Sequence, residues 1–241
     1  MKPITTLAIL SALLLTDCNR TSKTTTTSAT VASDAAAKDI PLLPINKGDT
    51  WNYNVHLEIP AGMSSSEAPA VDLKHPLTRV YLGKVVPGKG LPETDCFEVT
   101  VPSSPVEREF VEIYDDRILM RGSLLMSDPN SQPTWLQKPI PFVIAGMKAG
   151  TESVQFKAAA EELTRQIQVV AREDVTVPAG KFPCIRLLMS GMNGQVELRK
   201  TTWFSPGVGI VREEKARYYG DKLVFHETQE LTATTVKGSA R

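Results

Sequence analysis

From Trp51 to Ile59 the chain alternates without a break: Trp51, Tyr53, Val55, Leu57 and Ile59 are apolar, while Asn52, Asn54, His56 and Glu58 are polar. Successive side chains of a β-strand point to opposite faces. The pattern therefore predicts an antiparallel strand with one face on a core and the other in water. After a small, polar loop at 60–69, further β-like runs cover 78–86, 96–101 and 110–114, and an Asp115-Asp116-Arg117 turn leads into 118–120. The second half repeats this texture at 164–177, 184–189, 195–204 and 209–219, where Gly220-Asp221 marks a hairpin into 223–231. Residues 157–163 favour helix by composition but span barely two turns, so they predict a local turn of helix at most. Seventeen prolines and 15 glycines punctuate the short strands. The predicted class is all-β: an antiparallel sandwich or an open, strongly curved barrel.

The two halves echo each other. Residues 44–51 and 144–151 each set a lysine beside a Gly turn after an apolar stretch, and each is followed by a cysteine-led strand, Cys96-Phe97-Glu98-Val99 or Cys184-Ile185-Arg186-Leu187. This predicts two related β halves within one domain.

The N-terminus carries an address. Met1 and Lys2 give a positive start, residues 4–15 an apolar run, and Cys18 follows at once. That run has the length of a signal peptide's central region and is too short to span a bilayer, which needs about 20 apolar residues. Leu15-Thr16-Asp17-Cys18 resembles the bacterial lipobox, which implies diacylation of Cys18, although Asp17 stands where Gly, Ala or Ser is usual. The alternative is ordinary secretion with a cut among residues 28–33. Residues 21–38 are almost wholly Thr, Ser, Ala and Val without an aromatic group, a composition that cannot bury a core and reads as a flexible tether. The predicted organisation is signal peptide 1–17, lipid attachment and tether 18–39, one β domain 40–236 and a tail 237–241. Asn19 after Cys18 favours outer-membrane sorting, facing the periplasm.

Twenty-seven basic side chains balance 27 acidic ones, and no run of like charge occurs. This argues against nucleic acid, whose phosphates demand clustered positive charge. The densest stretch, Arg212 to Lys215 with Arg217, mixes both signs and reads as a solvated strand face. With Cys18 assigned to lipid, Cys96 and Cys184 remain as a candidate disulfide in an oxidising compartment; two buried reduced thiols are the alternative.

Three landmarks in order, Gly48-Asp49-Thr50-Trp51-Asn52-Tyr53, Val177-Pro178-Ala179-Gly180-Lys181-Phe182 and Trp203-Phe204-Ser205-Pro206-Gly207-Val208-Gly209-Ile210-Val211, resemble motifs of a group of uncharacterised bacterial envelope lipoproteins. The resemblance implies an exported β domain without an assigned catalytic role. Physics accounts for the same residues without a ligand: Pro-Ala-Gly and Pro-Gly turn strands, and Trp51, Tyr53, Trp203 and Phe204 close the ends of a β core.

No catalytic constellation assembles. Residues 83–90 approach a phosphate-binding loop, but Gly90 replaces the magnesium-holding Ser or Thr and no strand-to-helix transition follows. His56, His75 and His226 are scattered singly without metal-ligand spacing, and Asp115-Asp116 reads as a hairpin tip. No metal, cofactor or catalytic residue is expected. The sequence reading is a non-catalytic envelope lipoprotein, an interaction or structural protein that contacts another envelope component. A periplasmic carrier of an apolar ligand or lipid, using runs such as Leu187-Leu188-Met189, is the first alternative, and a hydrolase without a recognisable motif the second.

Overall fold

The computed structural model describes residues 42–63, 69–128, 130–150, 153–158 and 163–236. The signal segment, Cys18, the tether and the tail lie outside the described residues. Twelve strands follow in sequence: β1 (Thr50–Ile59), β2 (Val71–Val85), β3 (Thr94–Thr100), β4 (Val106–Ile113), β5 (Arg117–Met126), β6 (Thr134–Ile144), β7 (Ser153–Ala158), β8 (Leu163–Val177), β9 (Gly180–Asn193), β10 (Val196–Ser205), β11 (Gly209–Tyr219) and β12 (Lys222–Thr234). They form one antiparallel sheet in the order β6-β5-β4-β3-β2-β1-β12-β11-β10-β9-β8-β7. The fold is thus all-β, and the barrel form of the prediction holds in place of two stacked sheets. Each half is a six-stranded meander. Pairing of β1 with β12 joins the halves, and β6 and β7 are the two edges of a nearly closed barrel.

The edge position explains what the pattern missed. β6 carries Pro139 and Pro141, which read as breakers in the sequence. Proline cannot donate to a ladder, but an edge strand has one side on which no donor is needed. Pro76 in β2 is tolerated for a related reason: β2 pairs with β3 only from Thr78 onward, so beyond that point it has β1 alone as a partner. The expected turn of helix near 157–163 does not form at its described ends. Ser153–Ala158 is a strand paired with β8, which begins at Leu163; the hairpin's tertiary pairing overrides the helical propensity of so short a segment.

The barrel has two unlike ends. At one, Trp51, Tyr53, Phe97, Val111, Ile118, Val143, Phe204, Val208, Ile210 and Leu231 share a continuous buried cluster with Leu42, at the start of the described chain, and Val236, at its end. We call this the closed end. The cavity between these walls measures about 20 Å³, room for about one water. The three resembling motifs converge here. Trp51 Nε1 donates to the Val208 carbonyl at 2.7 Å, Tyr53 donates its hydroxyl to the Ile210 carbonyl at 3.0 Å, and Ala179 N–H donates to the Leu231 carbonyl at 3.0 Å. Gly209 has φ +113°, and a Cβ there would stand 3.1 Å from Trp51 Nε1, so this position needs glycine twice over. Trp203 faces the other way: its indole donates to Glu173 at 2.8 Å under the Arg212 guanidinium.

The expected Cys96–Cys184 bridge is not formed: both thiols are free and buried. Cys96 lies on β3 and Cys184 on β9, and five strands separate these in the sheet order. The two cysteines do occupy corresponding strands of the two meanders, as the sequence echo implied. Correspondence across a ring of twelve means half-way round it, so equivalent cysteines sit far apart. Burial pushes the Cys96 thiol up to about 11 and Cys184 up to about 12. Since the thiolate is the reactive form, neither should react with iodoacetamide at neutral pH until the chain unfolds. Mass spectrometry of alkylated native protein checks this, and a linked Cys96–Cys184 peptide would contradict it.

Candidate functional site

The opposite, open end is built from cross-strand rows on the inner face of β8–β12 and β1. The register pairs Val169, Leu187, Thr202, Glu213, Gln229 and Val55 in succession; all six are buried. One step toward the open end comes Ile167, Met189, Lys200, Lys215, Glu227 and Leu57. Next to the mouth lies Arg165, Gly191, Leu198, Arg217 and Phe225. Charged side chains thus enter the interior in the middle rows and continue to the mouth, where Arg165 and Arg217 share a row with Leu198 and Phe225.

The middle rows hold a buried ion network. Glu213, only 6 % exposed, accepts from Lys200 Nζ at 2.7 Å, from Thr202 at 3.2 Å and lies 3.4 Å from Lys215 Nζ. Lys215 also reaches Glu227 at 2.8 Å. Burial by itself would raise the Glu213 carboxyl, but Lys200 and Lys215, with Arg79, hold it down at about 2. Burial would likewise lower the Lys215 ammonium, and Glu213 and Glu227 lift it above its usual value. On the facing wall Arg79 pairs with Glu109 at 2.6 Å. Beside them Glu107 is raised by burial and by Glu109, with Lys215 pulling it back. Lys200 Nζ stands 4.4 Å over the Phe142 ring of β6, so the two meanders meet across the interior.

Against this network lies a pocket of about 130 Å³. Arg165, Arg199, Lys200, Lys215 and Arg217 line it together with Met189, Leu198 and Phe225, and no carboxylate is among its described lining residues. Arg217 lies 4.8 Å over the Phe225 ring, a cation–π contact, and has no carboxylate partner among the described residues. Gly191 makes room for its row neighbour: a Cβ would come within 2.9 Å of Arg165 Cγ and 3.1 Å of the Thr164 carbonyl.

Residues 144–224 match a family described as DUF3108-like. The match runs from the end of β6 into the start of β12 and takes in the pocket's residues except Phe225. No curated protein matches the chain. Similar solved structures include a candidate exported protein with a YmcC-like fold from Bacteroides fragilis, at 14% identity and TM-score 0.46, covering 81% of this chain and 99% of that one. A candidate lipoprotein from Parabacteroides distasonis has 14% identity and TM-score 0.45 over the same shares. A beta-barrel-like protein of a domain of unknown function from Brucella abortus has 12% identity and TM-score 0.38, covering 81% of this chain and 98% of that one.

The residues singled out in the sequence fall elsewhere. Asp115 and Asp116 form the β4–β5 turn, and residues 83–90 straddle the end of β2 and the following turn. His56 pairs with Asp72 at 2.8 Å and His226 with Glu58 at 2.9 Å, each across neighbouring strands, and no group of three metal-ligating side chains occurs among the described residues. The charged stretch at 212–217 is only half solvated, which corrects the sequence reading. Arg212 and Glu214 pair with each other on the outer face, while Glu213, Lys215 and Arg217 turn inward with Gln229, Glu227 and Phe225. The signal was present in the alternation: these three share the parity of a strand's inward face, continued along β11.

Proposed function

We propose that this chain is a non-catalytic, exported protein of the cell envelope, anchored through acylated Cys18, that works by binding at the open end of its barrel. The observation that carries the reading is the contrast between the ends: the closed end is filled, and the open end holds a cationic pocket walled by apolar side chains. A carrier that encloses an apolar ligand requires an interior of roughly 300–1,000 Å³. The 20 Å³ cavity, which the Arg79–Glu109 pair lines together with apolar side chains, does not supply it. Export and anchoring rest on the N-terminal pattern of residues 1–18 and the polar stretch that follows. Outer-membrane placement follows the residue after Cys18, Asn19.

Cells expressing the wild type should incorporate labelled fatty acid into this chain and retain it with membranes. Cys18→Ser is expected to abolish the label and release the protein into the soluble fraction. A wild type that is unlabelled and soluble outside the cytoplasm would refute the anchor.

A further inference from the structure

Nine large apolar side chains are exposed among the described residues, and they are not evenly spread. Six of them, Leu73, Leu125, Met126, Met192, Tyr219 and Leu223, lie at the open-end tips of β2, β5, β9, β11 and β12, and are 36–55 % exposed. Single exposed apolar residues are ordinary, but a set gathered at one end of a molecule marks a contact surface. The set comes from both meanders and lies at the end of the barrel that holds the cationic pocket. Met192, Tyr219 and Leu223 occupy the adjoining β9–β10 and β11–β12 hairpin tips, next to Arg217 and Phe225.

We propose that the open end docks on a bilayer carrying anionic phospholipid, with a phosphate head group in the pocket among Arg165, Lys200, Lys215 and Arg217. The inference rests on the reading of the open end as the binding end and adds the ligand. Charge complementarity selects the sign. The carboxylates Glu213 and Glu227 lie in the rows behind the pocket and hold Lys200 and Lys215 in place. Arg217 is held by an aromatic ring instead, so its guanidinium remains available to an acidic group. Size selects a head group: 130 Å³ is well below the roughly 300 Å³ at which pockets enclose a whole small ligand. The filled closed end then decides between a bilayer and a single extracted lipid. An acyl chain has no place among the apolar walls, so the lipid keeps its tails in the membrane while the apolar tips enter the interface.

The test is sedimentation of the mature chain without acyl groups, residues 19–241, with vesicles of phosphatidylglycerol and phosphatidylethanolamine. Vesicles of pure phosphatidylcholine, inorganic phosphate and a polyglutamate peptide are the comparison probes. Binding to the anionic vesicles is expected to weaken with salt and to fall about fivefold in Arg217→Gln, the worth of one basic residue near an anionic surface. Leu223→Asn should weaken vesicle binding while leaving any binding of inorganic phosphate unchanged, and Lys89→Gln, at the closed end, should change neither. A thermal melt equal to wild type shows that each variant is folded. Equal binding to phosphatidylcholine, or no binding to any vesicle, would overturn the inference. Arg217-dependent binding of polyglutamate without vesicle binding would overturn the lipid while leaving the open end as the binding end.

Discussion

Trp51→Ala is expected to destabilise the protein by about 4 kcal/mol, the cost of truncating a fully buried aromatic that its surroundings cannot refill. The side chain is 2 % exposed, meets Phe97 edge-on at 5.7 Å between ring centroids and touches the Gly209 turn. Three contributions add here: lost transfer of the indole, the cavity left among side chains from several strands, and an aromatic pair worth about 1 kcal/mol. The Val208 carbonyl also loses its donor. Trp51→Phe isolates that last part, retaining most of the packing while orphaning the carbonyl, and should cost about 1–2 kcal/mol. Urea unfolding of both variants against wild type measures the difference. A Trp51→Ala variant within 1 kcal/mol of wild type would show that the closed end is not held by this contact.

The second large effect is acid sensitivity seated at Glu213. Its carboxyl titrates near 2 in the folded protein, against an ordinary value of 4.5. The folded value is the lower one, so the stabilisation is fully present above about pH 4.5 and is lost as pH falls toward 2. That difference corresponds to about 3 kcal/mol. Glu213→Gln should remove a similar amount at pH 7, because Lys200 and Lys215 are left facing each other across one row with only Glu227 to offset them. Between pH 4.5 and 2 the variant should then lose less stability than wild type. The double variant Lys200→Met with Glu213→Gln should recover part of the loss, since it removes the uncompensated ammonium along with its partner. Equal acid dependence in wild type and Glu213→Gln would place the sensitivity elsewhere.

How far the sequence could be read depended on which side of each strand faced what. β1 was legible because its inner face is apolar throughout and its outer face polar, so alternation and burial coincide. β11 has the same geometry, but its inner face changes from Ile210 to Glu213, Lys215 and Arg217 along its length. Hydropathy then no longer separates inside from outside, and a buried ion network looks like a wet surface. β6 was hidden by prolines that only an edge tolerates, and edges are defined by the whole sheet. The pocket combines β8, β9, β10, β11 and β12, so no local spacing announces it. The cysteine pair shows the converse: the echo correctly matched β3 with β9, and only the closed order of twelve strands reveals that matching positions lie on opposite walls. The aromatic landmarks Trp51, Tyr53 and Phe204 were read correctly as core, because a large ring at a strand terminus needs cover whatever the topology.

The join between the first strand and the last has a consequence for how the molecule is made. Every other ladder links consecutive strands through a short connection, but β1 meets β12 across a separation of 184 residues at Thr50 and Thr234. Closing that loop costs about 2 kcal/mol more chain entropy than closing a 15-residue hairpin. In a chain that emerges N-terminus first, β1 appears at the outset and its partner β12 only at the end. Throughout synthesis, one edge of β1 therefore stays unpaired, with Trp51, Tyr53 and Val55 uncovered beside it. An exposed apolar edge of this kind invites pairing with other chains. The period of greatest aggregation hazard is thus the interval between release of β1 and release of β12, and a holding chaperone would protect this chain most by covering its first strand.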